Sequence, residues 1–345
     1  MKHAEDVLIV GGGPAGAYCA FNLAKNGIKP VILDHSHPRE KPCGGGISPA
    51  ILKKFPFLEK FRSKAFTFGR FKIVSCINTE AITKGLENGF CISRKYFDQE
   101  IINMAIESGA KIIPEKVLDV QKSGKMWIVI TNKRQFFTKV LVGADGVNSV
   151  VRRKTVGSFS EENLAITFGY FTDSLKKDDA SIKFLAEIPG YIWVFPGKGY
   201  SNIGIGSELK YGKMLKSYLD AFMDSNFPKI KIISRYAAML PSVSNPKFFK
   251  IPCSGINWVL IGDAAGHVDP ISGGGILYAL WGGQLAANAI ERNNLESFDK
   301  TWKEEYGTIL EERCRQKKDF YDPLKSTINL WFSSLTNKAY FLHPI

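Results

Sequence analysis

Apolar and polar positions change their period along the chain, and the changes mark out its elements. Residues 6–10, Asp-Val-Leu-Ile-Val, form a short apolar run closed by Gly11, which predicts a strand buried in a parallel sheet. Over residues 14–25 small and apolar positions, Ala15, Tyr18, Cys19, Leu23 and Ala24, recur at helical spacing. Residues 29–34 predict a second buried strand ending in Asp34, and 35–50 an irregular loop rich in Pro and Gly. Looser alternation over 66–92 predicts strands of a different sheet. Residues 93–108 predict a helix with Ser93 as its cap and Phe97, Ile101 and Ala105 on one face. Between 111 and 145 three short strands return to the first sheet, the last over 139–143. Aromatic-rich strands such as 191–195 and 201–206 follow within 160–250, interrupted by a charged helix around 212–226. Residues 258–262 are again a buried strand, followed by a glycine turn and a helix, and 296–345 read as helical and amphipathic.

Composition narrows the class. The 345 residues are 45% hydrophobic and 23% charged, which excludes a disordered chain and a disulfide miniprotein. With 46 Lys and Arg against 33 Asp and Glu, the net charge is +13, which favours anionic partners. The lysines (Lys53, Lys54, Lys72, Lys176, Lys177) are scattered and no recognition motif accompanies them, so no nucleic-acid partner is expected. The six cysteines hold no Cys-x-x-Cys pair, no metal set is written, and the first residues carry no leader; a cytoplasmic location follows. Residues 269–291 contain no charge between their ends, but five glycines make a buried helix a better reading than a membrane span.

Candidate chemistry begins at residues 11–16. Gly11, Gly12, Gly13, Pro14, Ala15 and Gly16 match the dinucleotide fingerprint in its required context, after a strand and opening a helix. Gly11 permits the tight turn, Gly13 lets the backbone approach a pyrophosphate, and Gly16 lets helix and strand pack closely. Asp34 closes the next strand, where a carboxylate accepts ribose hydroxyls. Two later segments repeat the theme. Residues 143–152 place Asp145 and Arg152 where a strand turns into a helix, in reach of the same cofactor. In residues 262–276, Gly262 and Asp263 follow a strand, and Gly273, Gly274, Gly275 and Ile276 open a helix.

Taken in order, these three segments resemble the para-hydroxybenzoate hydroxylase-type FAD superfamily, which implies FAD as cofactor and nominates Arg94 as a further cofactor contact. Two more segments are similar to the geranylgeranyl reductase family, which saturates double bonds of isoprenoid chains. One is the loop Lys41, Pro42, Cys43, Gly44, Gly45, Gly46; the other is Tyr191, Trp193, Phe195 and Pro196 followed by Gly204 and Gly206. Only Gly190 separates Pro189 from Tyr191, where the family pattern has two residues. The resemblance covers about residues 5–290.

It implies an α/β chain (α+β overall): a discontinuous Rossmann-like FAD-binding domain (1–65, 92–158, 252–295), an interleaved antiparallel-sheet substrate domain (66–91, 159–251) and a helical C-terminal segment (296–345). The implied reaction is hydride transfer from reduced FAD to an alkene carbon, with a proton delivered to its neighbour. Tyr191, Trp193 and Phe195 alternate and share one strand face, a wall for a prenyl chain or simply core. Gly44, Gly45 and Gly46 let backbone lie flat against a flavin. Cys43, Tyr191 and Tyr200 are the candidate proton sources. The electron donor is external: NADPH, ferredoxin or another reductant. Arg313, Arg315, Lys317 and Lys318, followed by Leu330, Trp331, Phe332, Leu335, Tyr340 and Phe341, leave peripheral membrane contact open beside a solvated basic helix. Two rival readings remain at this stage, an FAD monooxygenase of an aromatic or terpenoid and a non-catalytic prenyl carrier.

Overall fold

The computed structural model describes residues 4–78, 80–82, 88–175, 179–322 and 325. The chain divides into two compact units: residues 1–39, 95–163 and 241–315 form the first, and 40–94, 164–240 and 316–345 the second. This division differs from the sequence boundaries chiefly at residues 40–65, whose glycine loop packs on an aromatic residue of the second unit.

In the first unit the apolar runs lie side by side. Strand Ala4–Val10 pairs in parallel with Gln135–Gly143 on one side and Val31–Leu33 on the other, and the sheet extends to Lys111–Ile113 and Trp258–Leu260. Four strands, not three, lie between 111 and 143. Val117–Ser123 and Met126–Thr131 form an antiparallel extension that lengthens Gln135–Gly143 beyond the expected 139–143. Helix Pro14–Lys25 packs against helix Ile276–Glu291. A Cβ at Gly283 would lie 2.6 Å from the Ala15 carbonyl oxygen, so only glycine permits that approach. No helix among the described residues is long and apolar enough to cross a membrane.

The second unit is built on a seven-stranded sheet. Its edge strand is Ile232–Pro241, followed in order by Leu164–Thr172, Ser201–Glu208, Gly190–Pro196, Asp179–Phe184, Arg70–Val74 and Glu80–Ile82. Period two separates its faces. Ile192, Val194, Ile203 and Ile205 turn to one side and pack with Leu215, Leu219 and Met223 of helix Leu215–Asn226. Tyr191, Trp193 and Phe195 turn to the other. A small three-stranded sheet joins Gly46–Ile47, Phe90–Cys91 and Phe66–Thr67, so residues 66–92 feed two sheets.

The C-terminal helix Thr308–Phe320 alters the reading of the basic cluster. Arg313 is buried and donates from Nε to Asp269 at 3.0 Å, Arg315 pairs with Glu311 at 2.8 Å, and Lys317 is also buried. Two of the four expected surface cations are therefore inside the fold. The apolar positions Leu330 to Phe341 lie outside the described residues.

Candidate active site

Within the first unit, the fingerprint residues take distinct jobs. Gly11 has φ +101°, and a Cβ there would meet the Ala144 carbonyl oxygen at 2.3 Å. At Gly16 a Cβ would lie 2.0 Å from the Gly11 carbonyl oxygen, the close packing of helix on strand. Gly13 is different. Its φ is −64°, and a Cβ there would meet no protein atom within 4 Å. Packing among the described residues therefore does not require glycine at 13, and the open space suits the approach of a ligand. Pro14 and Ala15 follow as the first helical residues, and no side chain caps this helix, so its leading N–H groups remain for an anion.

Asp34 anchors the loop beside these amides. Its Oδ2 accepts from Gly12 N at 2.6 Å; its Oδ1 accepts from Ser36 N at 2.7 Å, Ser36 Oγ at 2.9 Å and His37 N at 3.1 Å. Burial works to raise its pKa, but the His37 ring and the backbone donors outweigh burial and hold the carboxyl below the usual range. Oδ2 keeps a lone pair for a ribose hydroxyl.

Asp145 is placed otherwise than the sequence reading expected. Its carboxylate is turned into the start of helix Val150–Thr155, accepting from Ser149 Oγ at 2.5 Å and Val150 N at 2.7 Å. Burial raises its pKa despite those bonds. The turn it holds includes Ala144, the residue against which Gly11 and Gly16 pack. Arg152, one turn along, donates to the Ala264 carbonyl at 3.2 Å and lies over the Phe159 ring at 4.0 Å.

Gly262 and Asp263 end the strand Trp258–Leu260. A Cβ at Gly275 would come within 3.2 Å of Asp263 Oδ1, so this carboxylate sits at the start of helix Ile276–Glu291. That helix also begins on a glycine, Gly275, with no side-chain cap. Gly273 (φ +67°) and Gly274 are tied to Asp269, whose backbone donates to the Gly274 carbonyl at 3.1 Å and accepts from Gly273 N at 3.0 Å. Asp269 Oδ1 takes Ile271 N and Ser272 N, while Oδ2 takes Arg313. Asp269 was not singled out from sequence, and Arg313 was read there as a surface cation rather than as its partner. Their contact joins positions 44 residues apart, and nothing local announces it.

Two open helix starts, a side-chain-free approach at Gly13 and an acid with a spare lone pair suit an FAD adenosine diphosphate. Gly11, Gly13, Pro14, Ala15, Gly16 and Asp34 would hold it, and Asp263 with residues 273–276 would meet the ribityl end.

In the second unit the Cys-Gly-Gly-Gly loop is shaped by packing. A Cβ at Gly44 would lie 2.3 Å from Phe195 Cδ2, and one at Gly46 3.3 Å from Phe195 Cε2. Gly45 has φ +68°, and a Cβ there would lie 2.2 Å from the Ile92 carbonyl oxygen. Its N–H donates to Cys43 Sγ at 3.4 Å, and its carbonyl accepts from Ile92 N at 3.0 Å. The bare faces of Gly44 and Gly46 are thus turned to Phe195. Glu40 replaces Ser93 as the cap of helix Arg94–Glu107, accepting from Ser93 Oγ at 2.5 Å and Arg94 N at 2.7 Å. Arg94 is buried at that helix start.

Tyr191, Trp193 and Phe195 do share a face. Across it lie Phe184, opposite Tyr191, and Ile182, opposite Trp193. Phe71 meets the Phe195 ring at 6.1 Å, and Phe320 meets Phe184 at 5.1 Å. Glycines let the large rings lie down. A Cβ at Gly204 would be 2.2 Å from the Trp193 indole, and one at Gly169 would be 2.3 Å from the Tyr236 hydroxyl. Asn202 Oδ1 accepts from both Trp193 Nε1, at 2.5 Å, and the Tyr236 hydroxyl, at 2.9 Å.

Tyr236 and Asn202 belong to this face but were missed from sequence; the Gly169 contact that admits Tyr236 spans 67 positions. Burial raises the Tyr236 and Tyr200 pKa values, with Cys43 adding to both and Glu40 to Tyr200. Cys43 therefore lies within electrostatic reach of both Tyr200 and Tyr236. Cys19 and Cys253 are pushed up to about 12 by burial, as inert core thiols are.

Comparison with known proteins agrees with this geometry. Residues 165–240 match the geranylgeranyl reductase catalytic domain and residues 4–54 an FAD binding domain. A digeranylgeranylglycerophospholipid reductase of Methanoculleus marisnigri is 31% identical over 98% of this chain and 92% of its own length. A protein of the same name from Thermoplasma acidophilum is 31% identical over 90% of this chain and 84% of its own. Among solved structures, a geranylgeranyl bacteriochlorophyll reductase-like protein from Thermoplasma acidophilum superposes with TM-score 0.85 at 25% identity, covering 97% of this chain and 92% of that one. A flavin-dependent brominase shares the fold alone, with TM-score 0.72 at 20% identity over 95% and 94% of the two chains. Cofactor cradle, aromatic sheet and relatives converge: the chain is an FAD-dependent oxidoreductase and belongs to the geranylgeranyl reductase family.

Proposed function

We propose that the prenyl chains this reductase saturates are those of a phosphate-bearing glycerolipid, and that they run along the aromatic face of the seven-stranded sheet. The observation that carries the reading is that face itself, in which Tyr191, Trp193, Phe195, Phe184 and Phe71 lie against strands thinned by Gly169, Gly204 and Gly206. A prenyl double bond has no polar handle, so it is positioned by apolar surface and shape. The curated relatives that carry a digeranylgeranylglycerophospholipid name support the lipid class, and the net charge of +13 suits its phosphate. An external reductant, NADPH or ferredoxin, meets the cofactor without a second dinucleotide fingerprint, and peripheral contact with a bilayer brings in the lipid.

Reduced FAD supplies the hydride when bound. The chain supplies the proton and a dry surface. Of the candidate donors a thiol is intrinsically a stronger acid than a phenol, and burial holds Tyr200 and Tyr236 protonated. Cys43, only partly buried, is therefore the proton donor, and its thiolate takes a proton back from solvent before the next turnover. Cys43→Ser is expected to retain FAD while turnover falls about 100-fold, the usual scale of a lost general acid.

Anaerobic incubation of dithionite-reduced protein with a geranylgeranyl-bearing glycerophospholipid tests the function, read by mass spectrometry as added pairs of hydrogens. Saturation only of the phosphate-free lipid would overturn the substrate class. Modification that requires oxygen would overturn the reaction.

A further inference from the structure

Asp34, the acceptor expected to face the adenosine ribose, is not held by backbone alone. The His37 ring lies between two carboxylates, with Nδ1 3.0 Å from Asp34 Oδ1 and Nε2 3.4 Å from Asp98 Oδ2. All three side chains are buried, His37 to 2%, Asp34 to 7% and Asp98 to 1% exposure. A neutral imidazole carries one N–H and can donate to one carboxylate only; the other nitrogen would then present a lone pair to an anion. The imidazolium satisfies both. Burial opposes that charge, but the Asp34 and Asp98 contacts outweigh it and raise the His37 pKa above its ordinary value. Asp34 reaches His37 from the same loop and Asp98 from helix Arg94–Glu107, and these are the charged groups paired with the ring among the described residues. Arg39, further along the loop, is turned to Ser36 Oγ at 3.1 Å.

We propose that protonated His37, anchored by Asp98, is a positioning residue for FAD: it fixes the Asp34 carboxylate for the ribose, so that FAD affinity falls as pH rises through the His37 pKa. The proposal rests on Asp34 being the ribose acceptor. Oδ1 is consumed by Ser36, the His37 amide and the His37 ring, which leaves Oδ2, bound to Gly12 N, with a lone pair for the ribose. Loss of the His37 proton leaves two buried carboxylates sharing a ring that can serve only one. Asp34 then turns toward solvent or Asp98 loses the His37 N–H, and in either case the loop 34–37 no longer presents one geometry. The sign follows from the raised pKa: the favourable arrangement is complete below it and lost above it. By linkage, FAD in turn favours the protonated ring.

The test uses apoprotein stripped of flavin and retitrated with FAD, with binding read from quenching of flavin fluorescence between about pH 6 and about pH 10. Wild type is expected to show a flat dissociation constant at low pH and a rise of about tenfold across one inflection, the scale of one mis-set hydrogen bond to a charged group. His37→Gln is expected to bind about tenfold more weakly at low pH with no inflection in this window. Asp98→Asn, which keeps an acceptor without the charge, is expected to move the inflection to lower pH while far-ultraviolet circular dichroism stays unchanged. Wild-type and His37→Gln proteins with superimposable pH profiles would overturn the proposal. Asp34→Ala with undiminished FAD affinity would overturn the ribose assignment beneath it, a failure distinct from that of His37.

Discussion

Gly44→Ala tests whether the Cys-Gly-Gly-Gly loop and the aromatic strand form one packed unit. The added methyl carbon would sit 2.3 Å from Phe195 Cδ2 and 2.6 Å from Cε2. Carbon atoms rest at about 3.5 Å or more, so the ring would have to retreat by about 1 Å. Retreat is obstructed on its other side by Phe71, whose centroid is 6.1 Å away in an edge contact. Overpacking of this kind costs about 1–3 kcal/mol, and here it also displaces the wall proposed to hold the prenyl chain. Urea unfolding should show the midpoint lowered by that amount at constant slope, and turnover should fall with it. The double variant with Phe195→Leu should recover stability, because a shorter side chain vacates the space the methyl needs. Its coupling energy should be at least about 1 kcal/mol. A Gly44→Ala protein with unchanged midpoint, or strict additivity in the double variant, would refute the packing argument.

Further outcomes follow from the same coordinates. Gly13→Ala should fold with wild-type stability, since its Cβ meets no protein atom, yet lose FAD on gel filtration; retention of stoichiometric FAD would show that no ligand approaches there. Gly16→Ala should instead lower the unfolding midpoint, because its Cβ would lie 2.0 Å from the Gly11 carbonyl oxygen, and an unaltered midpoint counts against that contact. Arg313→Met leaves Asp269 buried without its counter-charge and should cost about 3–5 kcal/mol in chemical denaturation, with Asp269→Asn on that background recovering part of the loss.

Period and punctuation made the elements legible. Residues 14–25 match helix Pro14–Lys25, and 93–108 enclose helix Arg94–Glu107, because small or apolar residues recur at 3.6. The fingerprint was legible because its spacing is fixed within six residues between a strand and a helix, even though the atom that demands glycine at 11 belongs to Ala144, far along the chain. The site residues that escaped notice answer to partners far along the chain. Glu40 caps a helix across 53 positions, Asp98 reaches His37 across 61, and Gly169 makes room for Tyr236 across 67. The Asp145 case runs the other way. An acid after a strand looks the same whether it faces a ribose or the helix just beyond it, and only Ser149 and Val150 decide.

An aromatic face suited to a hydrocarbon chain faces a chemical difficulty. Tyr and Trp bring large apolar area but also an O–H and an N–H, and a donor left pointing at a prenyl chain would keep a water or be stranded when the chain displaced it. Burying such a donor without a partner costs about 1–3 kcal/mol. Asn202 resolves this for two of them at once, since its Oδ1 takes both the Trp193 N–H and the Tyr236 hydroxyl within the sheet. Indole and hydroxyl are both donors here, which fixes the orientation of the amide. The residual burden falls on Asn202 Nδ2, buried and without a partner among the described residues. One polar atom is thus left unsatisfied where two would otherwise face the chain. The glycines complete the arrangement: with no Cβ at 169 or 204, the tyrosine and the indole lie over the strands and reach Asn202, as the proposed prenyl face requires.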